Sequence, residues 1–231
     1  MKNNQINILG IIPARGGSKR IPNKNKKKLA GKELVRYAIE ASTRATEITD
    51  LVLSSDDQEI LNIGKDYKNL ICLDRPDEIS GDDAPAITYV LHALAELPKD
   101  YDYVVIIQPT SPFTTGLDID KTIQLLRNSE ADSSVSVMKL DHAIHPAKLK
   151  TMDELVLNPY LEKENGRMAA HELPEVYVRN CSVYVSSIKT IESGKIIGNK
   201  CLGYEMPRER SLDINDPIDF EFAEFIIQKR K

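Results

Sequence analysis

Through its first 139 residues the chain alternates apolar runs of strand length with segments of helical period, and no other feature constrains the fold as tightly. INILGIIP (6–13), DLVLSS (50–55), LICLD (70–74), YVVIIQ (103–108) and SSVSVM (133–138) are the strand-like runs. Between them lie ELVRYAIEASTRA (33–45), DQEILNIGKDY (57–67), AITYVLHALAEL (86–97) and LDIDKTIQLLR (117–127), each with apolar residues at helical spacing. Strands this apolar on both faces need cover on both sides, which helices packed above and below a parallel sheet provide. The expected class is α/β, a Rossmann-like, doubly wound and mostly parallel sheet.

The alternation stops near Lys139. HAIHPAKLKTMDELVLNPYLEKENG (142–166) mixes charge with Pro and Gly and holds no period, so 139–175 is expected to be an insertion, either a lid or a dimerisation arm. EVYVRNCSVYVSS (175–187) reads as one long or two short strands, CLGYEM (201–206) as another, and DPIDFEFAEFIIQKR (216–230) as a closing amphipathic helix. A chain of 231 residues, 41% hydrophobic, suffices for one domain spanning 1–231. With 31 Lys and Arg against 35 Asp and Glu, the formal charge is -4, and neither nucleic acid nor an anionic membrane is expected as a partner. The N-terminus lacks an apolar h-region and no run approaches the ~18 apolar residues of a membrane span, which points to a soluble, cytoplasmic protein. Cys72, Cys181 and Cys201 are odd in number, without a CxxC pair, and are expected to be packing residues in a reducing compartment.

In a parallel sheet ligands sit beyond the carboxyl ends of the strands, and the first strand empties into ARGGSKRIPNKNKKK (14–28). Gly16 and Gly17 let backbone N–H groups converge on an anion, while Arg15, Lys19, Arg20 and Lys24 supply charge, a composition suited to a polyphosphate. Neither GxxxxGK[ST] nor GxGxxG is present, which removes the P-loop reading and weakens the dinucleotide one. Lys26, Lys27 and Lys28 read as a solvated run.

IIPARGGSKRIPNKNKKKLAGKELVRYAIEAS (11–42) resembles the N-terminal signature of the acylneuraminate cytidylyltransferases, the CMP-sialic acid synthetase family, whose members also activate legionaminic, pseudaminic and related nonulosonic acids. SSDDQEI (54–60), DRPDEISGDDAP (74–85), IIQPTSPF (106–113) and SLDINDPIDFEFAE (211–224) continue the resemblance over almost the whole chain. It implies a fold of the nucleotide-diphospho-sugar transferase type and a reaction joining CTP to a nine-carbon 2-keto acid sugar, with release of pyrophosphate. It also implies Mg²⁺ and a homodimer whose arm reaches the partner's site. By the same resemblance Arg15, Lys24 and Asn25 hold the triphosphate, in a nucleotide-binding loop that includes Ala14, Gly16, Gly17, Ser18 and Lys19. Arg75 and Ser80 meet the cytosine and its ribose, and Gln108, Thr110 and Ser111 present hydrogen bonds to the sugar acid. Asp213 and Asn215 hold the metal, and Arg15, Lys24 and Asp213 carry catalysis by stabilising charge.

Bland readings stand beside these. Arg75 before Pro76 is otherwise a turn residue, PTSP a capped turn, and Asp216 the N-cap of the last helix. The chain also departs from the family. Asn215 stands where a second carboxylate is usual. MAAHELPEVYVRN (168–180) has alanine where an Arg would meet the sugar carboxylate, leaving Arg167 or Arg179 as substitutes and His171 and Glu172 where Gln and Asp are usual. Asn180 matches a substrate-side Asn, but Cys181 replaces the following glycine and narrows the space there. His142 and His145 lie in a segment without helical period and read as a loop near the sugar in preference to a metal pair. Two other readings remain open: a nucleotidyltransferase for a Kdo-type sugar or a sugar 1-phosphate, and a catalytically impaired nucleotide-binding homologue.

Overall fold

The computed structural model describes residues 6–161 and 173–230. Its strands are β1 (Ile8–Pro13), β2 (Lys28–Leu29), β3 (Lys32–Glu33), β4 (Asp50–Ser55), β5 (Leu70–Asp74), β6 (Tyr103–Ile107), β7 (Ser133–Lys139), β8 (Lys150–Asp153), β9 (Val156–Pro159), β10 (Tyr177–Ser187) and β11 (Cys201–Glu205). The helices are α1 (Leu34–Thr43), α2 (Gln58–Gly64), α3 (Ala86–Glu96), α4 (Gly116–Arg127), α5 (Ile188–Glu192) and α6 (Pro217–Lys229).

Seven strands form the central sheet in the order β11-β7-β10-β6-β1-β4-β5. All run parallel except β10, which is antiparallel to both β6 and β7. The chain winds outward from β1 through β4 to β5, then returns to place β6 on the other side of β1. This reversal opens a crevice between β1 and β6 at the carboxyl ends of the strands. Ile12, Leu53, Val105 and Ile107 pack with Val35 and Ile39 of α1, Ile60 of α2 and Ile123 of α4 on one face. Leu9, Ile11, Val52 and Ile106 pack with Val90 of α3 and Ile191 of α5 on the other. Both faces are covered, as the doubly apolar strands require.

A third cluster ties the C-terminal helix to the crevice: Ile21, Leu29 and Leu34 meet Phe113, Ile214, Phe220 and Ala223. Asp216 caps α6 through a reciprocal box with Asp219, and Pro217 occupies the first turn, so the N-cap reading of Asp216 holds.

The structure adds detail to two expectations and corrects a third. The segment after Lys139 contains a short hairpin, β8 paired antiparallel with β9, set apart from the central sheet. Its Met152, Leu155, Val156 and Leu157 are exposed, so no burial imposes a clear alternation on the sequence. The strand 175–187 is one long strand broken by a register shift between Arg179 and Tyr184, where Cys181 takes φ 58. This left-handed backbone is one that glycine adopts without strain and a cysteine does not. Finally, of the three cysteines only Cys72 packs against the core, while Cys181 is half-buried at the bulge and Cys201 is exposed on the edge strand.

Candidate active site

The loop after β1 is shaped by its own chain. Ala14 N–H donates to the Ser54 carbonyl at 2.9 Å, Gly16 N–H donates to Asp56 Oδ1 at 2.8 Å, and Asn25 Nδ2 donates to the Arg15 carbonyl at 2.9 Å. A Cβ on Gly16 would stand 2.7 Å from Asp57 Oδ2 and 2.8 Å from Asp57 Cβ, so this glycine is required by close approach to the N-cap of α2. Gly17 has open space around it. Lys26 is not part of a solvated run: it is half-buried and pairs with Asp57 at 2.7 Å and Glu59 at 3.2 Å. Lys27 sets its ammonium 4.4 Å from the Phe220 ring centroid, and Lys28 alone of the three matches the solvated reading without such a partner.

A cleft of about 250 Å³ lies at the crevice between β1 and β6. It brings together Arg15, Ser18, Lys24 and Asn25 of the first loop, Arg75 after β5, and Gln108 and Thr110 after β6, all expected from sequence. Lys24 Nζ donates to the Ile214 carbonyl at 2.9 Å. Burial pushes its pKa below the ordinary lysine value; the Asp213 carboxylate opposes this, and the nearby Arg20 and Arg15 add to it. Arg15 and Lys19 both ion-pair with Asp82 on the opposite lip.

Arg75 is 5% exposed and is no simple turn residue. Its Nε donates to Ser54 Oγ at 3.0 Å, its Nη2 to the Ser54 carbonyl at 2.8 Å, and its Cζ lies 4.8 Å from the Tyr89 ring centroid. Desolvation lowers its pKa, with Tyr89 and Asp56 opposing.

Other expected residues lie beside the cleft. Ala14 is fully buried in the core, and Ser80 Oγ donates to the Pro76 carbonyl at 2.9 Å. Ser111 is buried and its hydroxyl donates to the Cys181 carbonyl at 3.3 Å, linking the QPTSPF turn to the bulge of β10. Asn180 spends its amide internally: Oδ1 accepts from Ser136 Oγ at 2.7 Å, and Nδ2 donates to Ser211 Oγ at 2.9 Å and contacts Met206 Sδ at 3.3 Å. Its place is structural, bracing β7, the bulge and the turn at 206–211. Arg179 is exposed, and Arg167 and His171 lie outside the described residues. His145 accepts from Ala147 N–H at Nδ1 and pairs its Nε2 with the Pro174 carbonyl, a structural use of the ring. His142 Nδ1 lies 3.0 Å from Lys148 Nζ.

Asp213 Oδ2 accepts from Asn215 Nδ2 at 2.8 Å, while Asp213 Oδ1 is buried with no hydrogen-bond partner among the described residues. An orphaned carboxylate oxygen fits a hard divalent cation. Among the described residues no group of three or more His, Cys, Asp or Glu is placed to hold one.

Sequence reasoning missed Asp82, Tyr89 and Ser54. Tyr89 sits at a core position of α3, and Ser54 reads as the end of an apolar strand, so neither carries a local signal.

The geometry is that of an anion-binding crevice at the switch point of a doubly wound sheet, and a cytidylyltransferase family model matches residues 9–188. The chain belongs to the cytidylyltransferase family. Among curated relatives of this family, the N-acylneuraminate cytidylyltransferase of Escherichia coli is 28% identical over 96% of this chain and 52% of the relative, so the chain spans about half of that protein's length. The CMP-N,N'-diacetyllegionaminic acid synthase of Legionella pneumophila is also 28% identical, over 96% of this chain and 97% of the relative. The pseudaminic acid cytidylyltransferase of Campylobacter jejuni is 27% identical over 94% and 95%. A solved CMP-2-keto-3-deoxy-manno-octonic acid synthetase complexed with CTP superposes with a TM-score of 0.74 at 13% identity, covering 97% of this chain and all of that one. At that identity it bears on the cytidylyltransferase fold alone.

Proposed function

We propose that this chain transfers the cytidylyl group of CTP to the anomeric hydroxyl of a nonulosonic acid of the sialic, legionaminic or pseudaminic kind, releasing pyrophosphate. The observation that carries the reading is the convergence of Arg15, Lys24 and Arg75 on one small crevice of a chain whose net charge is -4. An acidic protein that concentrates cations at one place meets a polyanion there and repels others elsewhere. The full-length correspondence with the Legionella and Campylobacter relatives supports the sugar-acid class.

In this reading the acceptor hydroxyl attacks the α-phosphorus, its proton leaves to solvent or a nearby carboxylate, and the bond to the β-phosphate oxygen breaks to free pyrophosphate. Arg15 and Lys24 stabilise charge on the phosphates, and Arg75 meets the base. Gln108 and Thr110 face the sugar from the end of β6. Asp213, through its unpartnered Oδ1, and the carbonyl of Asn215 would hold Mg²⁺, which supplies charge neutralisation at the leaving phosphates.

Arg15 must exchange Asp82 for phosphate when the nucleotide enters. Such a solvent-reached pair is worth little, so the exchange is easy. The exposed apolar side chains of the β8–β9 hairpin support a homodimerisation arm within 139–175, and a monomer by light scattering at micromolar concentration would overturn that part.

The test is pyrophosphate release with CTP and Mg²⁺ across N-acetylneuraminate, legionaminate, pseudaminate and Kdo. Release is expected with one nonulosonate and not with Kdo. Release with Kdo alone, or with none despite tight CTP binding, would contradict the reading.

A further inference from the structure

Arg75 differs from the other cleft cations. Arg15 and Lys19 are held by a carboxylate that solvent reaches, whereas Arg75 is buried and, among the described residues, is hydrogen-bonded only by neutral oxygens. Both of those oxygens belong to Ser54. The fully buried Ser54 sits near the end of β4, in register with Pro13 of β1 and Leu73 of β5. Its carbonyl accepts twice, from Arg75 Nη2 at 2.8 Å and from Ala14 N–H at 2.9 Å, so one residue sets both the guanidinium and the entrance to the phosphate loop. The Arg75 backbone N–H is also tied, to the Ser55 carbonyl at 2.8 Å.

The plane of the fork is held from a second side by Tyr89, whose ring centroid lies 4.8 Å from Arg75 Cζ. Tyr89 is itself buried, and desolvation pushes its phenol up to about 12, so the ring stays neutral at ordinary pH. Nε spends its hydrogen and Nη2 one of its two on Ser54, so among the described residues Nη1 is the one guanidinium nitrogen without an internal acceptor, on a side chain that lines the cleft. An Arg serving only as a structural staple has no need to line the cleft with a nitrogen unspent.

We propose that Ser54 and Tyr89 are positioning residues that determine base specificity: they lock the Arg75 fork so that Nη1 alone faces the cleft and selects cytosine over uracil. This rests on the cytidylyl-transfer reading. The two hydrogens of Nη1 match a base edge with adjacent acceptors. Cytosine offers O2 and N3 side by side, whereas uracil offers O2 beside an N3–H donor, which leaves one Arg hydrogen facing another hydrogen. A fixed donor pair therefore rejects uracil, while a freely rotating guanidinium settles on O2 of either base. Neither Ser54 nor Tyr89 needs to touch the chemistry.

The experiment is calorimetric titration of CTP and UTP, each with Mg²⁺, into the whole chain and into Ser54→Ala, Tyr89→Leu and Tyr89→Phe, with melting temperatures recorded for each. The parent is expected to favour CTP by about tenfold or more, the weight of one hydrogen bond to a charged group. Ser54→Ala and Tyr89→Leu are expected to weaken CTP by about tenfold and change UTP by less than about twofold, collapsing the preference. Tyr89→Phe keeps the ring face and should keep the preference. A parent that binds CTP no better than UTP would overturn the cytidylyl reading itself. A parent that prefers CTP, with variants that lose both nucleotides equally or keep the preference, would overturn the clamp and leave that reading standing. Ser54→Ala and Tyr89→Leu act on separate contacts, so misfolding of one leaves the other to decide.

Discussion

At the scale of single residues, Gly16 and Gly17 separate two reasons for a glycine that the sequence presents as one. A methyl on Gly16 meets Asp57, the N-cap of α2, whereas one on Gly17 meets nothing within 4 Å. Gly16→Ala is expected to cost about 1–3 kcal/mol in a denaturant titration and Gly17→Ala to be neutral within about 0.5 kcal/mol. Equal costs would refute the assignment. Lys24 carries a second expectation. Burial lowers its pKa and Asp213 offsets this only in part, so the free enzyme loses that positive charge below the ordinary value of 10.5. If Lys24 meets phosphate as a cation, kcat/KM for CTP should fall on the alkaline side before pH 10.5, and Lys24→Arg should move that limb out of range. An unchanged limb would assign it to another group.

At the scale of elements, the core strands and helices were legible because each had to be apolar on the faces it buries. The sequence reading fails where burial fails, as at the exposed β8–β9 hairpin. The first-loop cations were legible because their residue types sit at the end of a strand, whereas Arg75, Gln108 and Thr110 stood out only once the DRPDEIS and QPTSPF stretches were matched to the family. Ser54, Tyr89 and Asp82 were not, because their partners come from distant parts of the chain. A similar long-range contact places the segment that carries Asp213: Arg210, three residues before it, donates from Nε at 2.9 Å and Nη2 at 2.8 Å to Asp118, a fully buried acid in the first turn of α4. Burial alone would raise the Asp118 pKa, but bonds from Arg210 and Thr115 outweigh it and hold the carboxyl below its usual range. A depressed folded pKa contributes stability that is present above the unfolded value near 4 and lost as pH falls through the folded one. Arg210→Ala is therefore expected to lower stability by about 3 kcal/mol at pH 7 and to show a shallower loss on acidification. Identical acid profiles for the two proteins would refute the pair's role. At the other end of this segment, Asp216→Ala removes the cap of α6 and should cost about 1 kcal/mol in the same titration.

At the scale of the whole molecule, the sheet reverses at β1, and that reversal puts the glycine loop after β1, the buried Arg75 and the QPT turn around one crevice although they are far apart in sequence. With a net charge of -4, the chain gathers Arg15, Lys24 and Arg75 at this crevice, where the proposed function puts the triphosphate. The decisive measurement is pyrophosphate release from CTP with Mg²⁺ and a panel of nonulosonic acids, comparing the parent chain with Arg15→Ala. The expected result is release with one sugar acid, reduced at least about a hundredfold in the variant, as for loss of a charge-stabilising group. Release that Arg15→Ala leaves intact, or its absence with every sugar acid despite CTP binding, would contradict transfer at this crevice.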